Sequence, residues 1–141
     1  MRKVFILLLI LFSANCAFSE DKININEYLN KSYIGMTYNE AINQDIPFLL
    51  VFANPNDLIS IVKLAGVGQM VYKDFKGQYN FCILNTKEKE NKNLLNFFNP
   101  EYLPALYIIN TQTRHYIFVN KKFYNKKSIK EILTDNINIT N

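Results

Sequence analysis

Three runs of apolar residues, at positions 48–53, 79–84 and 103–109, predict the buried strands of one sheet. The first run is continuous rather than alternating, which is typical of a central strand covered on both faces. The third run has a proline near its start, where a missing backbone N–H is tolerated. An alternating segment at 115–119 predicts a further strand that returns antiparallel after a turn.

Short helices are predicted before, between and after these strands. Residues 37–40 read as a capping box, which predicts a helix that continues through residue 44. Apolar residues at 94–98 predict a second short helix that ends at Pro100. A second capping box at 128–131 predicts that the last helix begins at this point of the sequence.

The longest predicted helix spans residues 58–75, where apolar residues recur at helical spacing. Either Asn56 or Asp57 can cap its first turn, because both side chains accept backbone N–H groups. Gly66 and Gly68 lie inside the helix, and each costs about 1 kcal/mol relative to alanine. We therefore expect a kink or a break at these glycines.

Residues 1–19 have the pattern of a secretory signal peptide, with a basic start and an apolar run at 4–12. That run is far shorter than the roughly 20 residues that a spanning helix needs. Small residues at Ala17 and Ser19 predict cleavage after position 19. In the alternative processing route Cys16 is lipidated, which would hold the domain on a membrane. Both routes predict export to the periplasm or cell envelope, or secretion.

One domain is predicted after the leader, because 141 residues of which 49% are apolar suffice for a single core. Residues 20–36 are predicted to form an N-terminal arm or short first strand, 37–137 the folded domain, and 138–141 a tail. The net charge is +4, and it falls to 14 − 12 = +2 without the two basic residues of the leader. This weak balance argues against nucleic acid as a partner.

Few residues are suited to catalysis or metal binding. Cys82 lies in an apolar strand and is expected to be buried, and it cannot form an internal disulfide once Cys16 is removed or lipidated. His115 is the only histidine, so histidine metal sites and catalytic triads lack their central residue. We predict no metal and no cofactor. Residues 121–127 interleave lysines with aromatics, which predicts a solvated turn or, alternatively, a contact with anionic lipid or nucleic acid.

The order helix, strand, helix, strand, helix, strand, strand, helix resembles the thioredoxin-like superfamily over residues 37–135. Three segments carry the resemblance: the lead-in helix at 37–47, the strand and turn at 48–59, and Tyr-Leu-Pro-Ala-Leu at 102–106. The resemblance implies an α/β three-layer sandwich, with a central mixed sheet of about four strands flanked by helices. It also implies that Pro104 is the cis-proline of the family.

The sequence departs from the family where the Cys-x-x-Cys pair would lie. Asn56 and Ile59 stand at the two cysteine positions. An amide cannot form the low-pKa thiolate that disulfide exchange requires at a helix N-terminus, and isoleucine cannot act as a resolving thiol. We therefore expect a protein that is not an oxidoreductase.

A binding role follows from the resemblance, because the family grips extended polypeptide between the active-site turn and the cis-proline loop. The expected groove residues are Asn54, Pro55, Asn56, Asp57, Leu103 and Pro104. The expected partner is an extended polypeptide or an envelope protein, with membrane contact only if Cys16 is lipidated. Two alternatives remain open at this point: an enzyme that depends on an external thiol, and a structural envelope lipoprotein.

Overall fold

The computed structural model describes residues 33–140, with side chains described from 34 to 137. The leader, Cys16 and the first part of the arm lie outside the described residues. The strands are β1 (Tyr33–Gly35), β2 (Phe48–Ala53), β3 (Asn80–Asn85), β4 (Ala105–Ile109) and β5 (Tyr116–Val119). The helices are α1 (Tyr38–Ile42), α2 (Leu58–Asp74), α3 (Lys92–Phe98) and α4 (Lys126–Thr140), with 3₁₀ turns at Lys89–Asn91 and Lys121–Phe123.

The strands form one mixed sheet in the order β1-β3-β2-β4-β5. β2 pairs in parallel with β3, and the other three pairings are antiparallel. The sheet has five strands rather than about four, because β1, in the segment predicted as an arm or short strand, pairs with β3. At the centre of the sheet Leu50 lies between Cys82 of β3 and Tyr107 of β4.

Helices cover both faces of β2, which explains why its apolar run is continuous. Leu49 and Val51 pack in a cluster with buried residues of α2 and α4 on one face. Phe48, Leu50 and Phe52 pack on the other face with residues of α1 and α3. Every side chain of β2 is buried, and the predicted three-layer α/β arrangement is confirmed. None of the helices within residues 33–140 combines the length and apolar character that crossing a membrane requires.

The predicted break in the long helix is wrong, because α2 runs without interruption from Leu58 to Asp74. Gly68 is buried, and a Cβ on Gly66 would lie 3.1 Å from the Lys126 side chain of α4. The glycine cost is offset by a buried face that packs against the sheet. That face comprises Ile61, Leu64, Ala65, Val67, Met70 and Val71.

The two predicted capping boxes have different outcomes. At α1 the prediction is confirmed, since the Thr37 hydroxyl accepts the Glu40 N–H and the Glu40 carboxylate accepts the Thr37 N–H. The second box is wrong, because α4 begins at Lys126 and Ser128 already lies in its first turn. The side-chain amide of Asn125 caps this helix instead, its oxygen accepting the Ser128 N–H at 2.9 Å.

Candidate binding cleft

The turn after β2 is held by its own side chains. The Asn54 side-chain oxygen accepts the Asn56 N–H at 3.0 Å, and the Asn54 carbonyl accepts the Asp57 N–H at 3.0 Å. The Asp57 carboxylate accepts the Ser60 N–H at 3.2 Å and thereby caps α2. The Asn54 and Asp57 side chains therefore bond to backbone amides, which makes their roles in this turn structural.

The two positions predicted to replace the cysteines lie at the start of α2. Asn56 is exposed just before the helix cap, and Ile59 is 77% exposed in the first helical turn. A large apolar side chain with this exposure contributes little to the core and is available to a partner. Neither residue supplies a thiol at the helix N-terminus.

Leu103 and Pro104 lie in the loop that leads into β4, and the peptide bond between them is cis. Leu103 is 41% exposed and Pro104 is partly buried. A cleft of about 250 Å³ lies between this loop, α2 and the 3₁₀ turn after β5. It is lined by Ser60, Lys63, Leu64, Tyr102, Leu103, Pro104, Lys121 and Tyr124.

The structure thus brings two of the six expected groove residues, Leu103 and Pro104, into this cleft. The other four, at positions 54–57, are not among its lining residues. The α2 side of the cleft comes instead from Ser60, Lys63 and Leu64, which follow Ile59 in the sequence.

The sequence reasoning missed the two tyrosines that shape the cleft. The Tyr124 hydroxyl accepts the buried Leu106 N–H at 2.8 Å, so this phenol ties the cleft wall to β4. The Tyr102 hydroxyl accepts the Lys121 N–H at 3.1 Å, and the Lys121 ammonium lies 5.1 Å from the centre of the Tyr102 ring. The alternation of lysines and aromatics at 121–127 was the sequence feature that could have indicated a role for Tyr124, but it predicted a solvated turn.

Burial sets the protonation of the Tyr124 and Cys82 side chains. Desolvation raises the pKa of the Tyr124 phenol well above its ordinary value, so the hydroxyl keeps its proton to a higher pH than an exposed tyrosine does. Desolvation also raises the pKa of the Cys82 thiol, which is fully buried on β3. Because only the thiolate is nucleophilic, the burial and the raised pKa of Cys82 both disfavour its reaction in the folded state.

The part of the chain that the structure describes contains no cluster of side chains suited to binding a metal ion. Within residues 33–140 there is no group of three or more histidine, cysteine, aspartate or glutamate side chains placed to share an ion. His115 lies exposed beside the start of β5, outside the lining of the cleft.

Known structures share this fold at low sequence identity. The J-Trx1 fragment of ERdj5 is 16% identical with a TM-score of 0.56, over 71% of this chain and 46% of the fragment. ERdj5 in its form II structure is 20% identical with a TM-score of 0.53, over 67% of this chain and 12% of that chain. The Trx4 domain of ERdj5 is 10% identical with a TM-score of 0.53, over 84% of this chain and 97% of the domain. This chain thus spans less than half the length of the first two.

Comparison with curated proteins gives no match. The sequence profile of the family described as thioredoxin-like domain matches residues 25–135, which is most of the chain. The profile match, the five-stranded mixed sheet and the flanking helices agree with one another, and the chain belongs to the thioredoxin-like domain family.

Proposed function

We propose that this protein is an exported thioredoxin-like domain that binds extended polypeptide and carries out no disulfide exchange. The observation that carries the proposal is the cleft beside Leu103 and Pro104, which is open and partly apolar and has no thiol in its lining. The pattern of a signal peptide at residues 1–19 supports a location in the periplasm or cell envelope.

The absence of exchange activity follows from the chemistry of the residues at the helix start. Disulfide exchange needs a thiolate that the α2 N-terminus could stabilise, and Asn56 and Ile59 provide none. Within residues 33–140 the one thiol is Cys82, which is buried in the sheet with a raised pKa. A mixed disulfide at Cys82 would require the domain to open.

Polypeptide binding is supported by two apolar side chains that the fold leaves in solvent, Leu103 in the cleft lining and Ile59 in the first turn of α2, outside that lining. Ile59 is 77% exposed on α2, next to the lining residue Ser60, and Leu103 is 41% exposed on the loop before β4. Two such side chains can pack against alternate residues of an extended polypeptide, while its backbone bonds to the loop. Burial of apolar area of this kind contributes about 25 cal/mol per Å².

In-cell crosslinking of the tagged full-length protein tests the binding role. We expect a client polypeptide to be captured by the wild type and lost in the double variant Asn56→Arg, Leu103→Arg. The matched control is Phe97→Arg, because Phe97 is 71% exposed on α3 and lies outside the cleft lining. Equal capture by the wild type and the double variant would refute binding in this cleft.

Insulin-disulfide reduction tests the absence of exchange activity. We expect the wild type to match Cys82→Ser at the uncatalysed background rate, because Cys82 is fully buried in the folded domain. Turnover by the wild type above that of Cys82→Ser would refute redox inactivity. Turnover that required an added low-molecular-weight thiol would instead favour an enzyme that depends on an external thiol.

A further inference from the structure

We infer that the cleft recognises a carboxylate of its polypeptide ligand through Lys63 and Lys121. The inference rests on the proposed function and adds the chemistry that selects the ligand. The carboxylate can come from the C-terminus of a polypeptide or from a glutamate or aspartate side chain, since both present the same two oxygen atoms.

The polar side chains that line the cleft are all hydrogen-bond donors. Lys63 and Lys121 carry ammonium groups that have no acceptor role. Ser60 carries a hydroxyl, and the hydroxyls of Tyr102 and Tyr124 each already accept a backbone N–H. Both phenols can therefore donate their O–H protons to a ligand. The cleft lining contains no carboxylate.

The two charged side chains that line the cleft, Lys63 and Lys121, are both cationic, whereas the Asp57 carboxylate that accepts the Ser60 N–H lies outside the lining. Residues 102–130 contain six basic side chains and no acidic one. Lys130 is paired with Asp74 at 3.1 Å, whereas within residues 33–140 no ion pair involves Lys63 or Lys121. Glu101 is next to Tyr102 in sequence but is exposed and absent from the lining. The field in the cleft therefore favours an anion.

The apolar residues of the cleft lining favour a carboxylate that is attached to an apolar group. Leu64, Leu103 and Pro104 supply the apolar part of the lining beside the donors. A volume of about 250 Å³ equals that of about eight water molecules at roughly 30 Å³ each, which admits a carboxylate together with an adjoining side chain. A polypeptide end or acidic residue flanked by apolar residues meets both requirements.

Fluorescence anisotropy with four synthetic peptides tests the inference on the full-length protein. The probes are one labelled apolar octapeptide as its free C-terminal acid, the same peptide as its amide, the amide with one internal glutamate, and that peptide with glutamine instead. We expect the acid to bind about tenfold more tightly than its amide, or the glutamate peptide about tenfold more tightly than its glutamine partner. A charge-assisted hydrogen bond is worth about that factor.

Two lysine variants and a control locate the interaction. Lys63→Gln and Lys121→Gln should each remove most of the preference for the carboxylate, measured as the ratio of acid to amide affinity within the same variant. The control Lys127→Gln should keep the preference, because Lys127 is exposed and lies outside the cleft. The preference should also shrink as salt is raised, since the ammonium groups are open to solvent.

The outcomes separate this inference from the function on which it rests. Equal binding of acid and amide, and of the glutamate and glutamine peptides, would overturn carboxylate recognition. If that binding were lost in Asn56→Arg, Leu103→Arg, the polypeptide cleft would stand. A preference that survived in both lysine variants would overturn the assignment to Lys63 and Lys121. Failure of every peptide to bind would refute the polypeptide cleft and the inference together.

Discussion

Removing one hydroxyl from the wall of the cleft should destabilise the whole domain. Tyr124 is 4% exposed, and its hydroxyl accepts the N–H of Leu106 at 2.8 Å. Leu106 is fully buried on β4, and its amide is satisfied by the Tyr124 side chain. Tyr124→Phe keeps the ring in place and leaves a buried donor without its acceptor.

The expected cost follows from the kind of group that is left unpaired. A buried donor without a partner costs about 1–3 kcal/mol, against a total stability of about 5–15 kcal/mol for a domain. The matched control is Tyr79→Phe, because the Tyr79 hydroxyl donates to the Leu133 carbonyl at 3.2 Å. That carbonyl lies within α4 and keeps its helical bond, so the control should lose only about 0.5–1.5 kcal/mol.

Urea unfolding followed by far-ultraviolet circular dichroism measures both costs in the full-length protein, with the slope m required to stay constant. We expect the midpoint of Tyr124→Phe to fall clearly below that of Tyr79→Phe. The reasoning is refuted if Tyr124→Phe lies within about 0.5 kcal/mol of the wild type, or if the two variants lose the same stability.

Three further measurements test the interior. Burial raises the pKa of Cys82 above 9.0 and of Tyr124 above 10.0, so the unfolded chain releases these protons first as pH rises. The free energy of unfolding should therefore be unaffected by these groups below pH 8 and then fall, by up to about 1.4 kcal/mol per pH unit per group. Urea midpoints that stay constant up to about pH 11 would contradict this. Gly35→Ala should cost about 2–5 kcal/mol, because φ is +81° and its Cβ would meet the Phe81 carbonyl. Gly77→Ala, with φ of +77° and open space, should cost only about 1–2 kcal/mol, and equal urea midpoints would show that the contact is unimportant. A thiol reagent should label Cys82 only on unfolding, and rapid labelling in native buffer would contradict its burial.

The central part of the sheet could be predicted because local pattern and tertiary environment agree there. The run at 48–53 is strand β2 with every side chain buried, as a continuous apolar segment between two helical layers requires. The predicted strand at 115–119 is found as Tyr116–Val119. Three of its four residues are exposed, however, so alternation did not indicate one buried face.

Helix boundaries were less predictable where two local signals competed. Ser128 and Glu131 have the spacing of a capping box, but Asn125 lies three residues before Ser128 and caps the helix first. The glycines of α2 carry a local cost that predicts a break, and the buried face of the helix outweighs it. In both cases the interaction that determines the helix involves residues outside the segment on which the prediction was based.

The cleft is lined by other residues than those predicted in the turn after β2. Its residues come from α2, from the loop before β4 and from the turn after β5, which only the sheet order brings together. Within the turn after β2, the side chains of Asn54 and Asp57 bond to backbone amides, which maintains the turn geometry in the absence of cysteines. The polar groups that α2 presents to a ligand are consequently those of Ser60 and Lys63. The cleft therefore does not depend on cysteines at the helix start, because different residues support the turn and line the cleft.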